Sequence, residues 1–389
     1  MKPLVIQGMH GLGDCLHQRA VVKHYLAQGR TIYLETSWPA VYHDLKLTEP
    51  GQPINRLFLI RKPVALRTQT KNAARESHRF SGMQAPVGAE VMRVMYHGAE
   101  VMKTESKTVL EAMCRVTGTP YETADFRLPV PDGWAAGVKL PGYNGKPILV
   151  YRPLVARPEW RGSMMRNANP PDYAHIMRFL RAHYFVVSVA DLEEGREWIV
   201  GPRLRADVEF HKGELSFEQL AALVKAADLL VTSSGFGAIL GPAVGTPTIS
   251  VVGGYEDGRA HDSGKRWAPY LAIEPEQPCA CWTSNCQRSC NKKINLSKAA
   301  LAVQHFIFEL SKQRTGKVLD IFANSSMPLP DLWDMFDPEV VPGSSRPATP
   351  FGKPAFSTTL PTNHPHYLRQ LQMVRAQERA AAERQGGKA

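Results

Sequence analysis

At about 100–200 residues per domain, a 389-residue chain has room for two domains and an appendage around a large buried core. Its 43% hydrophobic and 21% charged residues exclude a disordered or fibrous protein. The balance of 47 Lys+Arg against 36 Asp+Glu leaves a formal charge of +11, which favours an anionic partner. Nucleotide, phosphorylated glycan, membrane surface and nucleic acid all satisfy that charge.

The front of the chain reads as alternating strand and helix. Residues 4–8 form a short apolar strand, residues 11–14 a tight glycine turn, and residues 15–27 a helix ended by Gly29. Strands are expected at 31–34 and 56–60, and a long polar, basic loop at 63–86. Helical patterns follow at 89–102 and 108–117, then a Pro- and Gly-rich connector at 129–146. The alternation restarts with strand 148–151, helix 171–182, strand 185–189, helix 192–200 and strand 206–210. Helix 217–226, strand 228–232, helix 237–244 and strand 248–252 complete it, and a last helix spans 298–310. Strand–helix alternation in two blocks implies an α/β protein with two facing, Rossmann-like parallel sheets. The expected domains are residues 1–142, residues 143–312, and an extension at 313–389. In the extension, residues 338–365 hold seven prolines, the composition of an extended linker, and residues 366–385 form a basic tail helix suited to docking a partner.

The start has too short an apolar run for a secretory signal. Residues 229–255 carry no charge, but six Gly, two Pro and six Ser/Thr break them into strand, loop, helix and strand rather than a membrane span. Six cysteines without an export signal point to a reducing cytoplasm.

Two turns carry chemistry. In Gly8-Met9-His10-Gly11-Leu12-Gly13-Asp14, glycines allow a sharp turn and close approach of a ligand to a helix N-terminus. Asp14 there suits a general base for a hydroxyl, and equally suits a helix N-cap. In Thr232-Ser233-Ser234-Gly235-Phe236-Gly237, three hydroxyls and two glycines at a second helix start form a phosphate cradle without a Walker lysine, or else an ordinary capped turn.

The second block resembles the donor-binding domain of glycosyltransferase family 9, the heptosyltransferase-like enzymes of the GT-B fold. The resemblance rests on Ala227-Asp228-Leu229-Leu230-Val231-Thr232, on Ser234-Gly235, and on Ala243-Val244-Gly245-Thr246-Pro247, with Gly11-Leu12-Gly13-Asp14 matching the family's N-terminal Gly-Asp motif. It extends in scattered motifs over residues 3–311. It implies a nucleotide-sugar donor, with Asp14 as catalytic base, and with Arg166, Thr232, Ser233, Ser234, Gly235 and Gly237 holding the donor. Two departures leave the sugar open. Ser233 or Ser234 stands where the family has an Asp, and Gly237, Ala238 or Ile239 where it has a His.

Of the arginines opening the second block (Arg152, Arg157, Arg161 and Arg166), Arg166 matches the family's phosphate-binding Lys, and a guanidinium binds a diphosphate bidentately. Seven cations against Glu76 alone lie between Arg56 and Arg79. With His10, Gly11 and Gly13, the residues Arg61, Lys62 and Arg67 are expected on the acceptor side. They would face an anionic acceptor, either a lipopolysaccharide-like glycan or hydroxymethylated phage DNA. A catalytically inactive sugar-binding or assembly module is the remaining alternative. Cys279, Cys281, Cys286 and Cys290 could close a structural zinc site or remain thiols, and catalysis itself needs no cofactor.

Overall fold

The computed structural model describes residues 1–46, 56–62, 74–157, 165–194, 197–282 and 291–315. The Pro-rich stretch, the tail helix, Arg67, Arg161, Cys286 and Cys290 lie outside the described residues. The first half contains β1 (Leu4–Gln7), α1 (Leu12–Ala27), β2 (Ile32–Thr36), β3 (Leu57–Arg61), β4 (Glu90–Arg93), α2 (Gly98–Val101) and α3 (Val109–Thr117). Its four strands pair in parallel in the order β3-β2-β1-β4.

The second half runs β5 (Ile148–Tyr151), β6 (Val155–Ala156), α4 (Pro170–Arg181), β7 (Phe185–Val189), β8 (Trp198–Ile199) and β9 (Val208–Phe210). It continues with α5 (Phe217–Ala226), β10 (Leu229–Thr232), α6 (Phe236–Val244), β11 (Thr248–Val251), β12 (Tyr270–Ile273) and α7 (Leu296–Thr315). Six strands form a parallel sheet in the order β12-β11-β10-β5-β7-β9, while β6 and β8 pair antiparallel. Local chemistry sets several ends. The Thr108 hydroxyl accepts from the Glu111 N–H at the start of α3, and Ser216 and Gln219 form a reciprocal capping box on α5.

Two expected helices are corrected. Residues 89–102 instead give β4 and the single turn of α2, because the open edge of β1 recruits the segment in register from Leu4 with Glu90 to Gln7 with Arg93. As an edge strand, β4 leaves Val91 61% exposed, which hides the alternation expected of a strand. Residues 192–200 contain β8 instead of a helix. The adjacent Glu197, fully buried, is ion-paired with Arg152 and Arg157, and this keeps the segment extended against β6. The strand β12 adds a sixth member that the alternation did not reveal.

Apolar contacts run without a break from the first sheet through α1 and the connector residues Phe126, Leu128 and Val130 to α6 and one face of the second sheet. The other face packs against α4 and α7. Helix α1 therefore buries polar residues too. Arg19, with no exposed surface, grips the Asp44 carboxylate at 2.8 and 2.7 Å and the Arg127 carbonyl at 3.1 and 2.8 Å. A charge buried this way is tolerated because every face of the guanidinium finds an acceptor.

Candidate active site

In open parallel sheets, ligands bind beyond the strands' carboxyl ends, where the strand order reverses. The first sheet reverses between β1 and β4, and the second between β5 and β10. The segments leaving those strands carry Asp14, Tyr96, Arg166 and the Thr232–Gly235 turn, and they converge on one place.

Asp14 is the third residue of α1, and Gly11 occupies the cap position without a side-chain capping bond. The carboxylate is thus not the cap. It accepts a hydrogen bond on Oδ1 from the Tyr96 hydroxyl at 3.0 Å. The Tyr96 ring sits in a small apolar cluster with Val101, Val109, Ala112, Ala260 and Trp282, so both halves of the chain fix its position. At Gly13, a Cβ would stand 2.7 Å from Ile239 Cδ1 and 3.3 Å from Phe236 Cα. Glycine there lets the N-terminus of α1 close on that of α6.

From the other side, Arg166 Nε lies 2.9 Å from Glu256 Oε1, and His261 Nε2 lies 3.1 Å from Glu256 Oε2. The Ser234 side chain lies beside Glu256. Ser263 Oγ and His17 Nε2, 3.4 Å apart, extend the polar cluster inward. Burial raises the Asp14 carboxyl above its usual range, against the pull of Arg166, Tyr96 and His261. Burial also pushes Glu256 up, but Arg166, His261 and Ser234 outweigh it and hold the carboxyl down to about 2. The Glu256 charge in turn raises the pKa of Arg166, which is half-exposed and fully charged.

The cradle residues divide. Thr232 is buried, its hydroxyl donates to the Ser233 carbonyl at 3.1 Å, and Gly237 packs beneath it, where a Cβ would meet Thr232 Oγ1 at 2.7 Å. Ser233, Ser234 and Gly235 are half-buried at the start of α6. Gly235, with φ +122° and ψ −149°, takes a conformation that strains other residues, and a Cβ there would meet nothing within 4 Å.

Around the acceptor-side turn, the His10 carbonyl accepts from Trp38 Nε1 at 3.1 Å, and Gly11 lies under the Asp14 carboxylate. Lys62 donates to the Gly8 carbonyl, and Arg61 lies over the Phe80 ring at 5.9 Å. Two other cations of the basic stretch reach the second half: Arg75 donates to the carbonyls of Gly213 and Leu215, and Arg79 pairs with Glu218. Arg152 and Arg157 are held on Glu197, apart from Arg166. Cys279 and Cys281 bring their thiols to 3.3 Å, and among the described residues no group of three or more His, Cys, Asp and Glu could hold a metal. Nor is any described helix long and apolar enough to cross a membrane.

Sequence reasoning missed Tyr96, Glu256 and His261. Tyr96 fell within an expected helix. Glu256 had a usable signal, being the first charged residue after the uncharged run 229–255.

No family model matches the sequence, and no curated protein matches it. Solved structures do match. One is the bacterial iron-containing dodecameric glycosyltransferase TibC from enterotoxigenic E. coli H10407, with 14% identity and a TM-score of 0.50 over 81% of this chain and 77% of that one. TibC in complex with ADP-D-beta-D-heptose, described as a dodecameric iron-containing heptosyltransferase, gives 13% identity and a TM-score of 0.50 over 79% and 77%. A family 9 glycosyl transferase from Veillonella parvula follows at 12% and 0.46, over 79% and 97%. With its two parallel sheets, the chain has the GT-B fold, and its likeness in fold is to the heptosyltransferase-like glycosyltransferases that its motifs resemble.

Proposed function

We propose that this chain is a glycosyltransferase that moves a sugar from a nucleoside-diphosphate-sugar to a hydroxyl of an anionic, lipopolysaccharide-like glycan. The observation that carries the reading is that Asp14, at the start of α1, faces Arg166 from the second half while the neighbouring Gly13 packs on the start of α6. Acceptor and donor would enter from opposite sides of that junction.

The roles follow from the charges. An ionised Asp14 takes the proton of the acceptor hydroxyl, whose oxygen bonds to the anomeric carbon while the bond to the diphosphate breaks. The departing nucleoside diphosphate keeps that electron pair. Arg166 and the N–H groups at the start of α6 stabilise its charge, with Ser233 and Ser234 as further donors. A basic Asp14 with a raised pKa is a stronger proton acceptor than an ordinary surface carboxylate. Arg61, Lys62 and Arg67 remain the acceptor-side cations, and a cytoplasmic setting suits a nucleotide-sugar substrate. A structural zinc on Cys279, Cys281, Cys286 and Cys290 belongs to the same reading, holding a loop and taking no part in the chemistry.

The test is sugar transfer with a panel of UDP-, GDP-, ADP- and CMP-sugars and a phosphorylated glycan acceptor, run with the wild type and with Asp14→Ala. Transfer by the wild type alone supports the reading. Equal transfer by Asp14→Ala removes the base role, and salt-sensitive transfer to hydroxymethylated duplex DNA instead would reassign the acceptor.

A further inference from the structure

Glu256 is a carboxylate without an evident place in a site for anions. It is 1% exposed and held down to about 2, so it remains charged. A fixed negative charge beneath a diphosphate repels it, unless that charge orders cations and donors worth more than the repulsion. Its contacts fit the second case. It lies 2.9 Å from Arg166 Nε, has the Ser234 side chain beside it, and meets His261 Nε2 at 3.1 Å. It thus joins three segments: the loop after β5, the turn after β10 and its own loop after β11.

The Arg166 contact is an ion pair. A guanidinium is planar with five N–H donors, and its approach to Glu256 is through Nε. With the side chain half-exposed, the outer N–H groups stay available to a ligand. Lys292 Nζ fixes the base of the same loop, donating to the carbonyls of Met165 at 3.2 Å and Asn167 at 2.9 Å. Arg166 is therefore anchored at its backbone by Lys292 and aimed at its tip by Glu256.

We infer that Glu256 is a positioning residue of the donor site, aligning the Arg166 guanidinium for the diphosphate without touching the substrate. This rests on the glycosyltransferase reading above. Because it acts through Arg166, its removal should cost donor affinity only while Arg166 is present.

A double-mutant cycle tests this in the full chain, with ADP, UDP and GDP as probes and binding measured by calorimetry. Glu256→Gln is expected to weaken nucleotide binding about 10- to 100-fold, the range of one misplaced charge-assisted contact. On an Arg166→Ala background the same change should weaken it less than about twofold. Glu256→Asp, which keeps the charge and serves if the Gln variant does not fold, should fall between wild type and Glu256→Gln. Additive losses on both backgrounds overturn the positioning role and leave the enzyme reading standing. If wild type binds none of the three nucleotides, both fall.

Discussion

Asp14 and Glu256 are two carboxylates in one polar cluster, and their surroundings push them in opposite directions. Asp14, from the first half of the chain, has a neutral hydroxyl as its hydrogen-bonding partner, and burial raises its pKa. Glu256, from the second, is buried more deeply yet held down to about 2 by Arg166, His261 and Ser234. Burial alone therefore does not set the charge state; the partners do. The difference assigns roles that distance alone could not. A carboxylate whose ionised form is poorly stabilised gains from taking a proton, whereas one surrounded by cations and donors resists it.

The largest effects are expected from neutralising each carboxylate without changing its shape. Asp14→Asn, which can still accept from Tyr96, should lower kcat by about 10²–10⁴-fold in the transfer assay, the usual worth of a general base. Its stability should move the other way. With the folded pKa above the unfolded value near 3.9, ionised Asp14 costs stability, and that cost grows as pH rises through the folded pKa. Asp14→Asn should accordingly melt at or above the wild-type temperature at neutral pH. A lower melting temperature would mean that Asp14 is a structural residue.

Glu256→Gln should do the reverse and destabilise, toward the low end of the about 3–5 kcal/mol for breaking a buried ion pair, since Arg166 is half-exposed. Here the folded pKa of about 2 lies below the unfolded value near 4.3. The stabilisation is present above about pH 4.3 and is lost as pH falls through about 2. Denaturant melts should show the gap between wild type and variant closing over that interval. A gap independent of pH removes the charge argument.

The architecture was more legible in the sequence than this pairing. Buried parallel strands read as short apolar runs, so β5, β7, β10 and β11 stood out within a residue or so. The edge strand β4 did not, because exposure of Val91 breaks its pattern, and Tyr96 was lost with it. Asp14 was legible through its glycine turn, and Arg166 through the resemblance. His261 was not, and Glu256 only as the first charge after the run 229–255, because β12 and the loop before it carry no periodic signal and Arg166 lies in another loop. Side chains that meet only through tertiary packing leave no spacing to read.

Tyr96→Phe acts on the Asp14 side. The phenol lowers the Asp14 pKa by donating to Oδ1, so its loss should raise that pKa further. A hydrogen bond to a charged group is worth about 1.5–3 kcal/mol, which places the expected rise of the acid limb of the kcat profile at about one pH unit or more. The KM for the donor should barely change. An unshifted limb with lower kcat at every pH would make Tyr96 a packing residue only.

The smallest effect separates two uses of positive charge along the basic stretch. Arg79 pairs with Glu218 across the two halves, with both side chains partly exposed, whereas Arg61 is an exposed residue at the carboxyl end of β3. A partly exposed pair contributes about 0–1 kcal/mol, so Arg79→Ala should shift a denaturant midpoint only slightly and leave the acceptor KM within about twofold. Arg61→Ala should leave stability alone and raise the acceptor KM several-fold at low salt, with the difference fading as salt screens the acceptor's charge. Equal KM effects from the two would show that the basic stretch acts as one diffuse field, not as a brace at one end and a contact at the other.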